Sequence, residues 1–175
     1  QTPWAVTTPQ YPQKYMTDTI AVFGTTRTVT SGVYPEEIRK RCPRMRVVQQ
    51  ASAGLAGAIE DEAPEAELDA LVAASVAGLL AQTGGVQPHS AILGCTHFPL
   101  VEHLFRRHLG PSTRILSQPD VVANSFEDYL ERKPHYTDCD VSGALTLLTT
   151  GDADEISARA RVFWPDVPAF SHTTT

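Results

Sequence analysis

Cysteine is scarce in this chain. Cys42, Cys95 and Cys139 are the only three in 175 residues, and they form no CxxC pair and no metal-ligand spacing. That excludes a disulfide framework and a zinc cluster of the usual kind, and an odd, thinly spread set suits a reducing, cytoplasmic compartment. Positive charge is also short. Fourteen Lys and Arg stand against twenty Asp and Glu, a net charge of −6, so a nucleic-acid surface is not expected. Long apolar runs are missing: the longest, Leu71 to Ala81, is broken by Ser75 and Gly78 and is too short to cross a bilayer. The opening residues QTPWAVTTPQ lack the basic region and apolar run of a secretory signal. The chain starts on Gln rather than Met, which raises the expectation of processing or of a missing piece. What remains is 42% hydrophobic and 19% charged, enough to bury the core of one domain, or of one and a fraction.

Residues 1–18 carry Pro3, Pro9 and Pro12 and are read as an extended lead-in. TIAVFG, Thr19 to Gly24, predicts a buried strand. TTRTVTSGVYPEEIRKR then predicts a helix, with hydroxyls at its start and Arg39, Lys40 and Arg41 at its C-terminal end. RVVQQ, Arg46 to Gln50, predicts a weaker strand, and Ala53 to Glu60 a short helix. Pro64 opens the clearest helix, where Leu68, Leu71, Val72, Val76 and Leu79 recur every three or four residues until Gly84 and Gly85 stop it. SAILGC, Ser90 to Cys95, predicts another buried strand, and Pro99 a helix running to Leu109. TRILSQ predicts a strand, Asp120 to Arg132 a helix and ALTLLTTG, Ala144 to Gly151, a last strand; Asp152 caps a final helix to Phe163. Strand and helix alternate with short links, which predicts an α/β fold: a layered, flavodoxin-like domain around a mainly parallel sheet.

In such a sheet, ligands bind beyond the carboxyl ends of the strands. Two segments put polar side chains there. In GCTHFPL, Gly94 to Leu100, Cys95 falls where a strand stops and a helix is about to start. Unpaired helix N–H groups favour a thiolate or an anionic ligand. Thr96 offers a hydroxyl, and His97 is close enough to act on a proton. The competing reading of Cys95 is one more buried small residue. In GTTRTVTSG, five of nine residues carry hydroxyls, but the Gly-Lys-Ser/Thr ending of a phosphate loop is absent. Thr25 and Thr28 there either grip a small anion or simply cap a helix. Glu60, Asp61 and Glu62, ahead of Pro64, read either as a solvated helix start or as the source of a carboxylate that orients a histidine across a cleft. Cys42 and Cys139 sit in contexts that suggest no chemistry, and His89, His103, His108, His135 and His172 are scattered without ligand spacing.

Together these segments resemble the glutamate racemases of the aspartate/glutamate racemase superfamily. ILGCTHFPL, Ile92 to Leu100, looks like that family's second cysteine motif; IAVFGTTRTVTSGVY, Ile20 to Tyr34, like its threonine-rich segment; GLAGAIEDE, Gly54 to Glu62, like its acidic stretch; LLTTGDADEISARARVFW, Leu147 to Trp164, like its C-terminal tail. The resemblance runs from Thr19 to Trp164. It implies that Cys95 is one of two catalytic thiols, that His97 assists it as an acid and that Glu60 orients His97. It implies substrate binding by Thr96, Thr28 and Thr25, with Thr28 the more direct contact of the two threonines in its segment. No cofactor and no metal are implied. The implied partners are a small-molecule substrate, glutamate, and a second copy of the chain in a homodimer, with no nucleic acid and no membrane.

The family's Asp-Ser motif and the Cys-Asn-Thr motif that bears its first thiol are both missing from this sequence. The resemblance therefore implies a fragment: residues 19–117 as one α/β domain and 118–175 as the return segment of an incomplete second α/β domain, with roughly a hundred N-terminal residues absent. The implied activity is interconversion of L- and D-glutamate for peptidoglycan synthesis, by a thiol on each face of the α-carbon. Aspartate racemase, a non-catalytic truncated domain binding a small anion or partner, and a thiol hydrolase are the alternatives. For the hydrolase, no oxyanion-hole glycine loop accompanies Cys95 and His97.

Overall fold

The structure, a computed structural model, describes residues 19–136 and 144–174, so the expected lead-in over residues 1–18 and Cys139 lie outside the described residues. Internal contacts separate two compact units, one ending at Glu131 and the other beginning at Arg132. The contact boundary thus follows the helix after residue 117, whereas the seam read from the sequence precedes it.

The first unit is built on β1 (Thr19–Gly24), whose five residues after Thr19 are all buried. Where one long helix is expected next, two form: α1 (Thr26–Ser31) and α2 (Val33–Arg41). Gly32 separates them at φ +66°, a left-handed conformation that costs glycine little and ends α1. β2 (Arg46–Ala51), α3 (Leu55–Glu60) and α4 (Glu65–Thr83) follow, then β3 (Ser90–Leu93). The helix expected from Pro99 begins as a single 3-10 turn, Phe98–Val101, and becomes α-helical only at α5 (Glu102–Leu109). β4 (Arg114–Ser117) and α6 (Gln118–Glu131) complete the unit.

The four strands lie in the order β2-β1-β3-β4 and all pair in parallel, with Ile20 opposite Val47 and Ser90, and Ser90 opposite Arg114. The fold class expected from strand–helix alternation is therefore the one observed. Ala21, Phe23, Val48, Ala91 and Leu93 point from one face of the sheet into a core shared with Leu55, Ile59, Val72, Val76, Leu79, Leu104 and Phe105. Phe105 stacks on Phe23 at 5.0 Å between ring centroids and on Phe98 at 5.8 Å. Each fully buried side chain of this size contributes about 1.5–3 kcal/mol.

By length and composition alone, α4 is the one helix among the described residues able to cross a membrane. It is longer than the apolar run at its centre. Glu65, Glu67 and Asp69 crowd its first turns, while Val72, Val76 and Leu79 bury against the sheet and α5, so it is the main core helix of this layer. By contrast α6 buries none of its residues: Val122, Phe126 and Tyr129 are exposed.

The second unit holds α7 (Ala153–Ala160), capped by Asp152, whose side chain accepts from the Glu155 N–H at 2.8 Å. The strand expected over 144–151 shrinks to β5 (Leu148–Thr149). It pairs in parallel with β6 (Ser171–His172), which the sequence does not signal.

Candidate active site

Parallel pairing brings three loops to one edge of the first unit. The Gly94 N–H donates to the Phe23 carbonyl at 2.7 Å, setting the loop after β3 beside the loop after β1. The Ser52 N–H donates to the Gly24 carbonyl at 2.9 Å, setting the loop after β2 on the other side. This is the carboxyl edge, where open parallel sheets bind ligands.

Cys95 stands two residues beyond β3. It touches the core cluster yet is only partly buried, so it is not sealed inside the protein. Its Sγ lies 3.6 Å from His97 Nδ1, and Thr96 Oγ1 lies 3.5 Å from the same nitrogen. The opposite ring nitrogen, His97 Nε2, meets Glu60 Oε1 at 2.6 Å. Of the three acidic residues 60–62, the structure thus selects Glu60. Leu55 and Ile59 anchor α3 in the core and so aim its last residue at the imidazole.

The chemistry follows from which nitrogen carries the proton. A carboxylate only accepts, so Glu60 fixes the proton on Nε2 and leaves the Nδ1 lone pair facing the sulfur. The imidazole can then take the thiol proton, and the carboxylate stabilises the cation that results. The expectation of a helix start behind Cys95 is corrected here. A 3-10 turn intervenes, with the Phe98 N–H donating to the Cys95 carbonyl at 3.2 Å, and α5 opens on an acidic residue, Glu102. The group facing this thiol is a side-chain imidazole, itself beside the Thr96 hydroxyl, and not the end of an α-helix.

Thr25 and Thr28 are held to each other. The Thr28 N–H donates to Thr25 Oγ1 at 3.2 Å and the two hydroxyl oxygens are 3.0 Å apart, so Thr25 caps α1. Capping and a place at the ligand-binding edge coexist in this pair, because its loop adjoins that of Cys95. Cys42 is the C-terminal cap of α2, and His108 is a structural partner rather than a free surface group, 2.9 Å from Asp69. Sequence reasoning missed Ser52, 3% exposed at the same edge, whose hydroxyl has no hydrogen-bond partner. Its position after a weak strand gave no signal. Among the described residues there is no group of three or more His, Cys, Asp or Glu suited to a metal ion.

A thiol, an imidazole and a carboxylate thus lie in series at the carboxyl edge of a parallel α/β sheet. No family model matches the chain. Over most of its length, however, the chain is a homologue of the glutamate racemases. It is 40% identical over 144 residues to the glutamate racemase of Jannaschia sp. (strain CCS1), a match covering 82% of this chain and 51% of that protein. The crystal structure of glutamate racemase isoform RacE1 from Bacillus anthracis shares the fold with a TM-score of 0.73 at 23% identity, covering 90% of this chain and 57% of that one. The Francisella tularensis glutamate racemase, solved in complex with D-glutamate, gives 0.74 at 15% identity over 90% and 58%. The chain spans about half the length of the curated relatives it matches.

Proposed function

We propose that this chain is the second half of a cofactor-independent glutamate racemase, with Cys95 as one of its two proton-transfer thiols. The observation that carries this reading is the series Cys95 Sγ, His97 and Glu60 at 3.6 and 2.6 Å, in a chain homologous to glutamate racemases. Removing the α-proton of glutamate builds negative charge on the α-carbon and its carboxylate, which fixed donors must stabilise. On this reading the Cys95 thiolate accepts the α-proton from one face, with His97 holding the thiol's own proton. A second thiol, supplied from outside residues 1–175, returns a proton to the other face. For the opposite enantiomer the two thiols exchange roles. Thr25, Thr28 and Thr96 hold the substrate's carboxylate or amino group from the adjoining loops.

The same reading makes residues 118–175 a return into a second α/β domain. The unburied face of α6, with Val122 and Phe126, supports it. It further assigns the protein to the cytoplasm, to D-glutamate supply for peptidoglycan and to a homodimer.

The test is circular dichroism of L-glutamate over time. The whole protein is expected to drive the signal to zero with glutamate and to leave L-aspartate unchanged, and residues 1–175 alone are expected to do little. Failure of the whole protein on glutamate overturns the reading, and full turnover by the 175-residue chain overturns the need for an outside thiol.

A further inference from the structure

The residue before Cys95 is a glycine for a reason unrelated to its backbone angles. A β-carbon on Gly94 would lie 3.0 Å from the Phe23 carbonyl oxygen and 3.2 and 3.3 Å from Cε2 and Cζ of Tyr34. The phenol ring of Tyr34, carried by α2, is therefore laid directly on the peptide that leads into the thiol. The ring is held through its hydroxyl as well: Gln118, the first residue of α6, donates its side-chain amide to the Tyr34 hydroxyl. Tyr34 and Gln118 also line a cavity of about 400 Å³ between α2 and α6, floored by Ile92 and Leu116. The ring thus stands between this apolar space and the Cys95 loop.

We propose that Tyr34 is a positioning residue for Cys95: pinned by Gln118, its ring presses on Gly94 and holds Sγ within reach of His97 Nδ1. This rests on the reading of Cys95 as a proton-transfer thiol. Loops are free to shift by an ångström at little cost, and a misplacement of that size at a reacting group costs up to about a hundredfold in rate. The Gly94 N–H bond to the Phe23 carbonyl and the aromatic ring packed where a β-carbon would stand restrict that freedom at Gly94. Electrostatics agree with a structural role for the phenol. Burial pushes its pKa up, the bond from Gln118 pulls it down, and Cys95 pushes it up again, with a net rise. Tyr34 therefore stays a neutral phenol while a thiol titrates.

The experiment is iodoacetamide alkylation of the 175-residue chain at one pH, read peptide by peptide, with Cys42 as internal reference. Tyr34→Leu is expected to lower the ratio of Cys95 to Cys42 labelling about tenfold, as His97→Ala does, because both remove the thiol from its base. Tyr34→Phe, which keeps the ring, is expected to restore more than half of that ratio. An unchanged ratio in Tyr34→Leu alongside a fall in His97→Ala overturns the proposal while leaving the racemase reading intact. An unchanged ratio in His97→Ala overturns the thiol–imidazole coupling on which both stand. A fall in Tyr34→Leu that Tyr34→Phe does not recover overturns the role of the ring. Thermal melts of each variant separate these results from unfolding, and Cys42 labelling that rises with Cys95 labelling marks a general loosening that contradicts a local clamp.

Discussion

His97 Nε2 meets Glu60 Oε1 at 2.6 Å across 37 residues of sequence, joining the end of α3 to the loop after β3. The pair is partly exposed, so its contribution to stability is small. Its effect is on the imidazole, whose tautomer and orientation it sets.

Glu60→Gln should therefore separate catalysis from folding. The amide still reaches Nε2 but no longer stabilises an imidazolium. In the whole protein, kcat is expected to fall by about tenfold to a hundredfold, the range for losing an orienting carboxylate, with Tm nearly unchanged. Steady-state kinetics and a thermal melt check this. A loss of Tm matching the loss of activity would make Glu60 a structural residue instead.

Gly94→Ala tests close packing at the same loop. The added methyl meets backbone at Phe23 and an aromatic ring at Tyr34, neither of which is a flexible side-chain end. We expect a destabilisation of about 1–3 kcal/mol, read as a lower denaturant midpoint at unchanged slope. A midpoint equal to wild type would show that the ring and strand yield freely.

Much of this was legible in the sequence, and the failures have physical causes. β1 and β3 are short apolar runs closed by Gly24 and followed by Gly94, which reads as buried strand without further context. The Cys95–His97–Glu60 series was reached by resemblance to known motifs; spacing alone left Cys95 open as a buried small residue. The single helix expected over residues 25–41 breaks because Gly32 takes a left-handed conformation, and helical periodicity does not report a one-residue interruption. The helix from Pro99 begins as a 3-10 turn with Phe98 and Val101 both buried, and i,i+3 spacing fits either kind of helix, so the sequence pattern does not tell them apart. β6 consists of two residues, Ser171 and His172, paired with β5, too short a run to carry any alternation. Tyr34 was invisible as a neighbour of Cys95 because the two are 61 positions apart and only the fold brings the ring onto Gly94.

Acid should weaken the joint between α4 and α5. A hydrogen bond from His108 holds the Asp69 carboxyl below its usual range, and the nearby Arg107 charge acts in the same direction. A group with a depressed folded pKa lends stability that is present above the unfolded carboxylate value and is lost as pH falls through the folded value. Urea midpoints are thus expected to drop below about pH 4, and Asp69→Asn to flatten that part of the profile. An identical acid profile in the variant would remove Asp69 from the account.

The most direct measurement concerns one sulfur atom. The whole protein carrying Cys95→Ala should keep its far-ultraviolet circular dichroism spectrum yet lose turnover of both L- and D-glutamate, by at least the roughly hundredfold to ten-thousandfold expected for a general acid–base group. Interconversion of the enantiomers at the wild-type rate by that variant would contradict the assignment of Cys95 and, with it, the mechanism built around the edge of this sheet.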